Sequence, residues 1–370
     1  MADPGLSKAA IRAEAERLFA AFLAAGAVSV EADILLPAET LLDLYGEDIR
    51  ARAYVTADPM AGEMMLRPDF TVPVVQAHMA GGAEPARYAY LGEVFRRQDH
   101  LDGRAREYMQ VGYEVFDRAA PAADAEVFAL FAGLLGDLPL RPATGDIGIL
   151  MAAVRGLSTT DRRKAALLRH IWRPRRFRAL LDRFAGRAAV PPARAALLAR
   201  LAADTPEALV AAAGPLVGLR SAADIAARAA ALIEDAEVPS LAAPEAALLY
   251  DLLSLEAPAT AALAHLRGIA PLLPAIGPAI ETFAARLAAL QARGIDTDTL
   301  PFEASHGRTT LEYYDGFVFS FLAADPALPP VASGGRYDAL TAVLGQGRSI
   351  PAVGGILRPG LVARLRGAQC

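Results

Sequence analysis

The sequence predicts an α+β fold, an antiparallel sheet flanked by helices and built from two blocks of sequence that a helical segment separates. Three observations carry this. Residues 27–117 alternate short apolar runs with turn residues, as an antiparallel sheet with connecting helices does. From about residue 150 to 295 alanine and leucine dominate, β-branched and aromatic residues thin out, and prolines such as Pro191, Pro192, Pro206, Pro239, Pro258 and Pro271 punctuate helix-length stretches. After Thr299 the strand signals return and run to Ile356. The expected organisation is a core from residues 1–150 and 296–370, with residues 151–295 as a helical insertion.

Composition sets bounds on this reading. A chain of 370 residues, 54% hydrophobic and 21% charged, is globular and long enough for one large core or two modest ones. No run of about 18 strongly apolar residues appears, so no membrane span is expected. The start, Met1 to Lys8, lacks the basic and apolar stretches of a secretory signal. The only cysteine is Cys370, and the histidines His78, His100, His170, His265 and His306 are scattered without metal-ligand spacing. A cytoplasmic protein without metal or cofactor is the expectation. The net charge of −5 gives no general attraction to nucleic acid. One segment differs: residues 155–187 hold eleven Lys and Arg against two acids. Either this is a solvated helical face, or it docks an acidic partner, nucleic acid or phosphorylated ligand.

Element by element, Ile11, Ala15, Leu18, Phe19 and Phe22 recur at helical spacing over residues 8–25, and Gly26 is a natural stop. Leu66 to Thr71 places Asp69 and Thr71 on one side if the chain is extended, and Pro68 biases Arg67 away from helix. Tyr88 to Val94 forms an apolar strand with Phe95 and Arg96 at its end, where an arginine suits a carboxylate or phosphate. In the strand Arg106 to Asp117, Met109, Val111, Tyr113 and Val115 share one face. Gln110, Gly112 and Glu114 share the other; the glycine leaves room between two polar side chains about 13 Å apart. That face is either a pocket floor suited to an ammonium or imidazole donor, or the wet side of an edge strand.

A second strand, Leu311 to Leu322, repeats the pattern: Leu311, Tyr313, Phe317, Phe319 and Phe321 oppose Glu312, Tyr314, Gly316 and Ser320, unless Asp315-Gly316 forms a turn. Gly334 to Asp338 reads as a glycine turn before the helical run Ala339 to Leu344, its amides free to hold an anion or simply closing a tight turn. A last helix is expected over residues 360–366.

Taken in order, these segments resemble histidyl-tRNA synthetase, a class II synthetase. Arg67-Pro-Asp-Phe-Thr71 is similar to its Arg-Pro-Glu-Gly-Thr, residues 91–116 to its motif 2, Leu311-Glu-Tyr-Tyr314 to its Leu-Asp-Tyr-Tyr signature, and residues 334–365 to the approach to motif 3. The resemblance covers roughly residues 8–118 and 300–366. It implies that Asp69, Thr71 and Gln110 face a histidine amino group, that Glu114 and Tyr314 read its imidazole with Tyr313 also in the histidine site, and that Arg96 corresponds to the arginine gripping phosphate and carboxylate.

The departures fall on the nucleotide side. Thr309 stands where a synthetase has its activating arginine, with Arg308 one residue out of register. Gln98 replaces a motif 2 glutamate and Ala363 a motif 3 glutamate, leaving Arg364 as that helix's arginine. The chain also stops where a synthetase continues into its anticodon-binding domain, so none is expected. An amino-acid site without its nucleotide set suits sensing, because binding needs no transition-state groups. The resemblance therefore extends to the regulatory subunits of ATP phosphoribosyltransferase, synthetase paralogues. It implies a non-catalytic homodimer that partners a short-form catalytic subunit and takes L-histidine as effector, with no tRNA ligand expected. The competing readings are a truncated aminoacylating enzyme and an RNA-binding paralogue.

Overall fold

The computed structural model describes residues 6–39, 53–98, 105–308 and 313–367. Helix α1 (Lys8–Ala24) starts where the Ser7 hydroxyl accepts from the Ala10 amide at 3.1 Å. It buries Ala15, Leu18 and Phe22, and Gly26, at φ +93°, turns the chain out of it. Strand β1 (Val28–Ser29) then joins the main sheet, while β2 (Leu35–Pro37), β3 (Val55–Asp58) and β4 (Gly62–Leu66) form a separate three-stranded antiparallel sheet in the order β2-β4-β3.

Helix α2 (Thr71–Met79) leads to β5 (Ala86–Phe95), β6 (Glu107–Phe116), helix α3 (Ala120–Leu135) and β7 (Arg141–Asp146). The middle of the chain is helical: α4 (Ile147–Arg155), α5 (Asp161–Arg169), α6 (Pro174–Phe184), α7 (Pro192–Ala203), α8 (Pro206–Ala212), α9 (Ala222–Glu237), α10 (Ala243–Ser254), α11 (Ala259–Ile269) and α12 (Gly277–Gln291). A short strand, β8 (Glu256–Pro258), interrupts them, which composition alone did not indicate. The closing block supplies β9 (Pro301–Glu303), β10 (Phe317–Leu322), β11 (Ala332–Arg336), α13 (Asp338–Leu344), β12 (Ala352–Leu357) and α14 (Pro359–Gly367).

The nine-stranded sheet runs β1-β5-β6-β12-β11-β10-β7-β9-β8. It is antiparallel except where β1 meets β5 and β7 meets β9. β6 lies inside the sheet between β5 and β12, so the edge-strand reading of Gln110 and Glu114 is excluded. The face of Phe317, Phe319 and Phe321 packs on Phe128 and Phe131 of α3, with ring centroids 5.3–6.3 Å apart.

Two expectations are corrected. The strand expected from Leu311 begins at Phe317. Leu311 and Glu312 lie outside the described residues, and Tyr313 and Tyr314 precede the strand in irregular backbone. The Asp315 carboxylate explains the interruption: it accepts from the amides of Asp338 and Ala339 at 3.0 and 2.6 Å and so caps α13. The expected glycine turn at 334–338 is instead strand through Arg336, because Gly334 and Gly335 pair with Gly355 and Gly354. The anion its amides were expected to hold is the chain's own Asp315.

An ionic cluster joins the helical segment to the sheet. Arg286 on α12 is 1% exposed and reaches Asp124 on α3 at 2.7 Å and Asp146 on β7 at 2.8 Å. Arg336 at the end of β11 takes the other Asp124 oxygen at 2.6 Å. Each buried charge has an opposite neighbour, the condition under which burying it is tolerated.

Candidate functional site

Glu114 sits on β6 opposite Gly354 of β12, and Gly112 sits opposite Tyr90 of β5. Both glycines are space. A Cβ on Gly112 would lie 2.0 Å from the Tyr90 ring, and one on Gly354 would lie 1.4 Å from Glu114 Oε2. The Tyr90 phenol therefore crosses its neighbour strand and donates to Glu114 Oε1 at 3.1 Å. Thr71 Oγ1, at the start of α2, donates to the same oxygen at 3.1 Å, and Tyr337 donates to Oε2 at 2.6 Å. Burial pushes the Glu114 carboxyl up to about 7 against the pull of these three hydroxyls. Burial likewise drives the Tyr90 and Tyr337 phenols far above their ordinary value.

The segment carrying Asp69 and Thr71 is clamped from behind. Arg67 donates to the carbonyls of Glu93 (2.8 Å) and Ala32, and stacks over Phe70 at 4.1 Å. Phe70 in turn stacks on Tyr90 with centroids 4.4 Å apart. Gly92 makes room for that guanidinium. Thr71 is the first residue of a helix, so it faces the cleft from a helix start rather than from the extended chain expected.

All seven residues singled out from the sequence line one cleft: Asp69, Thr71, Arg96, Gln110, Glu114, Tyr313 and Tyr314. Tyr313 had been placed on the apolar back of a strand; irregular backbone before β10 turns both tyrosines inward, and Tyr313 donates to Thr71 at 3.4 Å. Arg96, just beyond β5, donates to the Pro68 carbonyl at 2.9 Å and so joins motif 2 to the Asp69 segment.

Gln110 stands apart. It is 1% exposed, and neither its amide oxygen nor its nitrogen has a hydrogen-bond partner in the protein. An unsatisfied buried amide costs about 1–3 kcal/mol, so it calls for a ligand or water. Two carboxylates, an amide and hydroxyls, with a guanidinium alongside, suit a small zwitterion that carries N–H donors.

Sequence reading missed Tyr337, Gly354, Gly355 and Ile356, which also line the cleft. Tyr337 lay within a quoted motif without a role; the register of β12 against β6 was the missing information. The arginine near motif 3 also differs from expectation. Arg364 is exposed on α14, whereas burial at the end of β12 lowers the pKa of Arg358 to about 10, with the positive charge of Arg96 adding to the effect. Arg308 turns away from the cleft: it donates to the Ile171 carbonyl at 2.7 Å and stacks over Phe177. Thr309 and the residues 99–104 of the motif 2 loop lie outside the described residues.

Among the described residues no group of three or more His, Cys, Asp or Glu is placed to hold a metal, and no helix is long and apolar enough to cross a membrane.

Fold and cleft define a histidyl-tRNA synthetase-like protein of class II architecture. The histidyl-tRNA synthetase family matches residues 4–257 and 239–359. A crystal structure of an ATP phosphoribosyltransferase regulatory subunit/histidyl-tRNA synthetase from Bacillus halodurans superposes with a TM-score of 0.68 at 20% identity, covering 98% of this chain and 81% of the other. A histidine–tRNA ligase subunit from Alicyclobacillus acidocaldarius gives 0.59 at 22% identity, covering 99% and 97%. These likenesses concern the fold. Curated relatives are nearer: the ATP phosphoribosyltransferase regulatory subunit of Allorhizobium ampelinum is 36% identical, covering 90% of this chain and 92% of its own. That of Brucella canis is 33% identical, covering 88% and 89%. The chain belongs to the ATP phosphoribosyltransferase regulatory subunit family, whose members are regulatory rather than catalytic subunits.

Proposed function

We propose that this chain is the regulatory subunit of a short-form ATP phosphoribosyltransferase in cytoplasmic histidine biosynthesis, and that it binds free L-histidine in the cleft between Gln110 and Glu114. The observation that carries the ligand assignment is the unpartnered Gln110 amide, 1% exposed and lining one cleft with the Glu114 carboxyl that burial raises to about 7. Asp69, Thr71 and Gln110 would meet the amino group, Glu114 and the tyrosines the imidazole, and Arg96 the carboxylate. The chemistry belongs to the partner. This chain would form a homodimer within a hetero-oligomer and pass histidine feedback through it. Such feedback requires histidine to favour one of two assembly states, and reciprocity requires the partner's substrates to weaken histidine binding by the same factor.

The test is to mix the chain with a short-form catalytic subunit. A larger complex on gel filtration, with activity falling as histidine rises, is the expected result. Unaltered elution of both proteins, with unaltered partner activity, would overturn the assignment.

A further inference from the structure

The basic segment 155–187 is only partly a paired, solvated face. Arg163 is buried against Asp235 at 2.7 Å, Arg183 reaches the same carboxylate at 4.0 Å, and Arg162 and Lys164 face Glu234 and Asp161. Arg178 and Arg187 lie over the Tyr250 ring at 5.5 and 4.5 Å. Three remain. Arg169, the last residue of α5, and Arg175 and Arg176, in the first turn of α6, are exposed and pair with no carboxylate among the described residues.

They surround the corner that holds the cleft's tyrosine segment. The indole of Trp172 donates to the Tyr314 carbonyl at 3.1 Å, and the Ile171 carbonyl accepts from Arg308 at 2.7 Å. The corner between α5 and α6 thus grips the chain immediately before and after residues 309–313. Phe177, fully buried on α6, lies under the Arg308 guanidinium at 4.8 Å.

We propose that this corner is a docking face for an acidic surface of the catalytic partner, and that Trp172 ties docking there to the state of Tyr314 in the cleft. The partner follows from charge. Residues 155–187 carry eleven cations against two acids, and the rest of the chain 26 against 40. A polyanion long enough to bind nonspecifically would run from this patch onto repelling surface, whereas a compact acidic protein face meets the corner alone. Arginine is the suited residue, because its planar fork matches carboxylates in pairs. The link to the cleft is geometric: a ligand that shifts Tyr314 shifts the acceptor of the Trp172 indole.

This inference rests on the partnership proposed above, and the experiment separates the two. Wild type and an R169E/R175E/R176E variant are titrated with the short-form catalytic subunit at two salt concentrations. The expected result is a complex at least about tenfold weaker for the variant, with a flatter salt dependence, while L-histidine binding by the free variant is unchanged. Equal affinity of both chains for the subunit overturns the docking face and leaves the partnership standing; no complex with wild type overturns both. Retained subunit binding with lost affinity for a duplex RNA probe assigns the corner to RNA instead. For the link to the cleft, Trp172 is the only tryptophan, so emission of the free chain reports on it directly. L-histidine should shift that emission in wild type. Unchanged emission where calorimetry shows saturation overturns the link.

Discussion

The Glu114 carboxylate occupies the place a side chain on Gly354 would fill: a Cβ there would come within 1.4 Å of Oε2. The two residues face each other across β6 and β12. The glycine is what lets a charged group lie flat across the sheet and meet three hydroxyls at once. Gly354→Ala should therefore push Glu114 off Tyr337 and Tyr90. Calorimetry should show L-histidine binding reduced at least about tenfold, the usual result of losing a hydrogen bond to a charged group. Unchanged affinity would mean that Glu114 does not contact the ligand.

Much of this site was legible because β6 alternates cleanly. Its apolar residues and its Gln-Gly-Glu face are both visible in ten residues, and a period of two needs no knowledge of the neighbours. Tyr313 and Tyr314 were found by wording rather than by pattern, since irregular backbone defeats an alternation argument. Tyr337, Gly354 and Gly355 escaped because their role depends on strand register between distant segments, which local sequence does not encode. Arg358 was missed for a related reason. Pro359 starts a helix, so the arginine before it stays at the strand end rather than on the helix face.

The raised Glu114 carboxyl gives stability a defined pH dependence. Its ordinary value is 4.5 and its folded value about 7. Between these the folded state keeps a proton that the unfolded state has released, so stability falls as pH rises through this window and levels off above it. The full penalty is on the order of 3 kcal/mol at 1.36 kcal/mol per pKa unit. Glu114→Gln removes this titration. Its stability relative to wild type should improve between about pH 5 and pH 8 in thermal unfolding, and an equal difference at both pH values would contradict the assignment.

Arg286 carries the connection between the helical segment and the sheet, with Asp124 and Asp146 on two other elements. Arg286→Met would leave two carboxylates partly unpaired, and breaking a buried pair typically costs about 3–5 kcal/mol. Asp124→Asn should cost a similar amount, since Asp124 also holds Arg336. The double variant should cost clearly less than the two losses combined, because each removes the other's partner. Urea unfolding of the three variants measures this; strict additivity would show that the groups are not coupled.

Arg308 separates this chain from an activating enzyme. In the synthetase pattern an arginine ahead of the tyrosine signature serves activation. Here the nearest arginine is 3% exposed, bonded to the Ile171 carbonyl, stacked on Phe177 and directed into the helical layer. Burial lowers its pKa to about 10 without a compensating carboxylate, so it is held for packing rather than for charge. The purified chain should therefore show no histidine-dependent exchange of pyrophosphate into ATP. Placing an arginine at 309 should not create it, since groups acting as a unit are not rescued singly. Arg308→Ala should instead lower thermal stability by loosening α6 from the tyrosine segment. Robust exchange by wild type, lost in Arg308→Ala without loss of stability, would make the chain an enzyme and Arg308 part of its site.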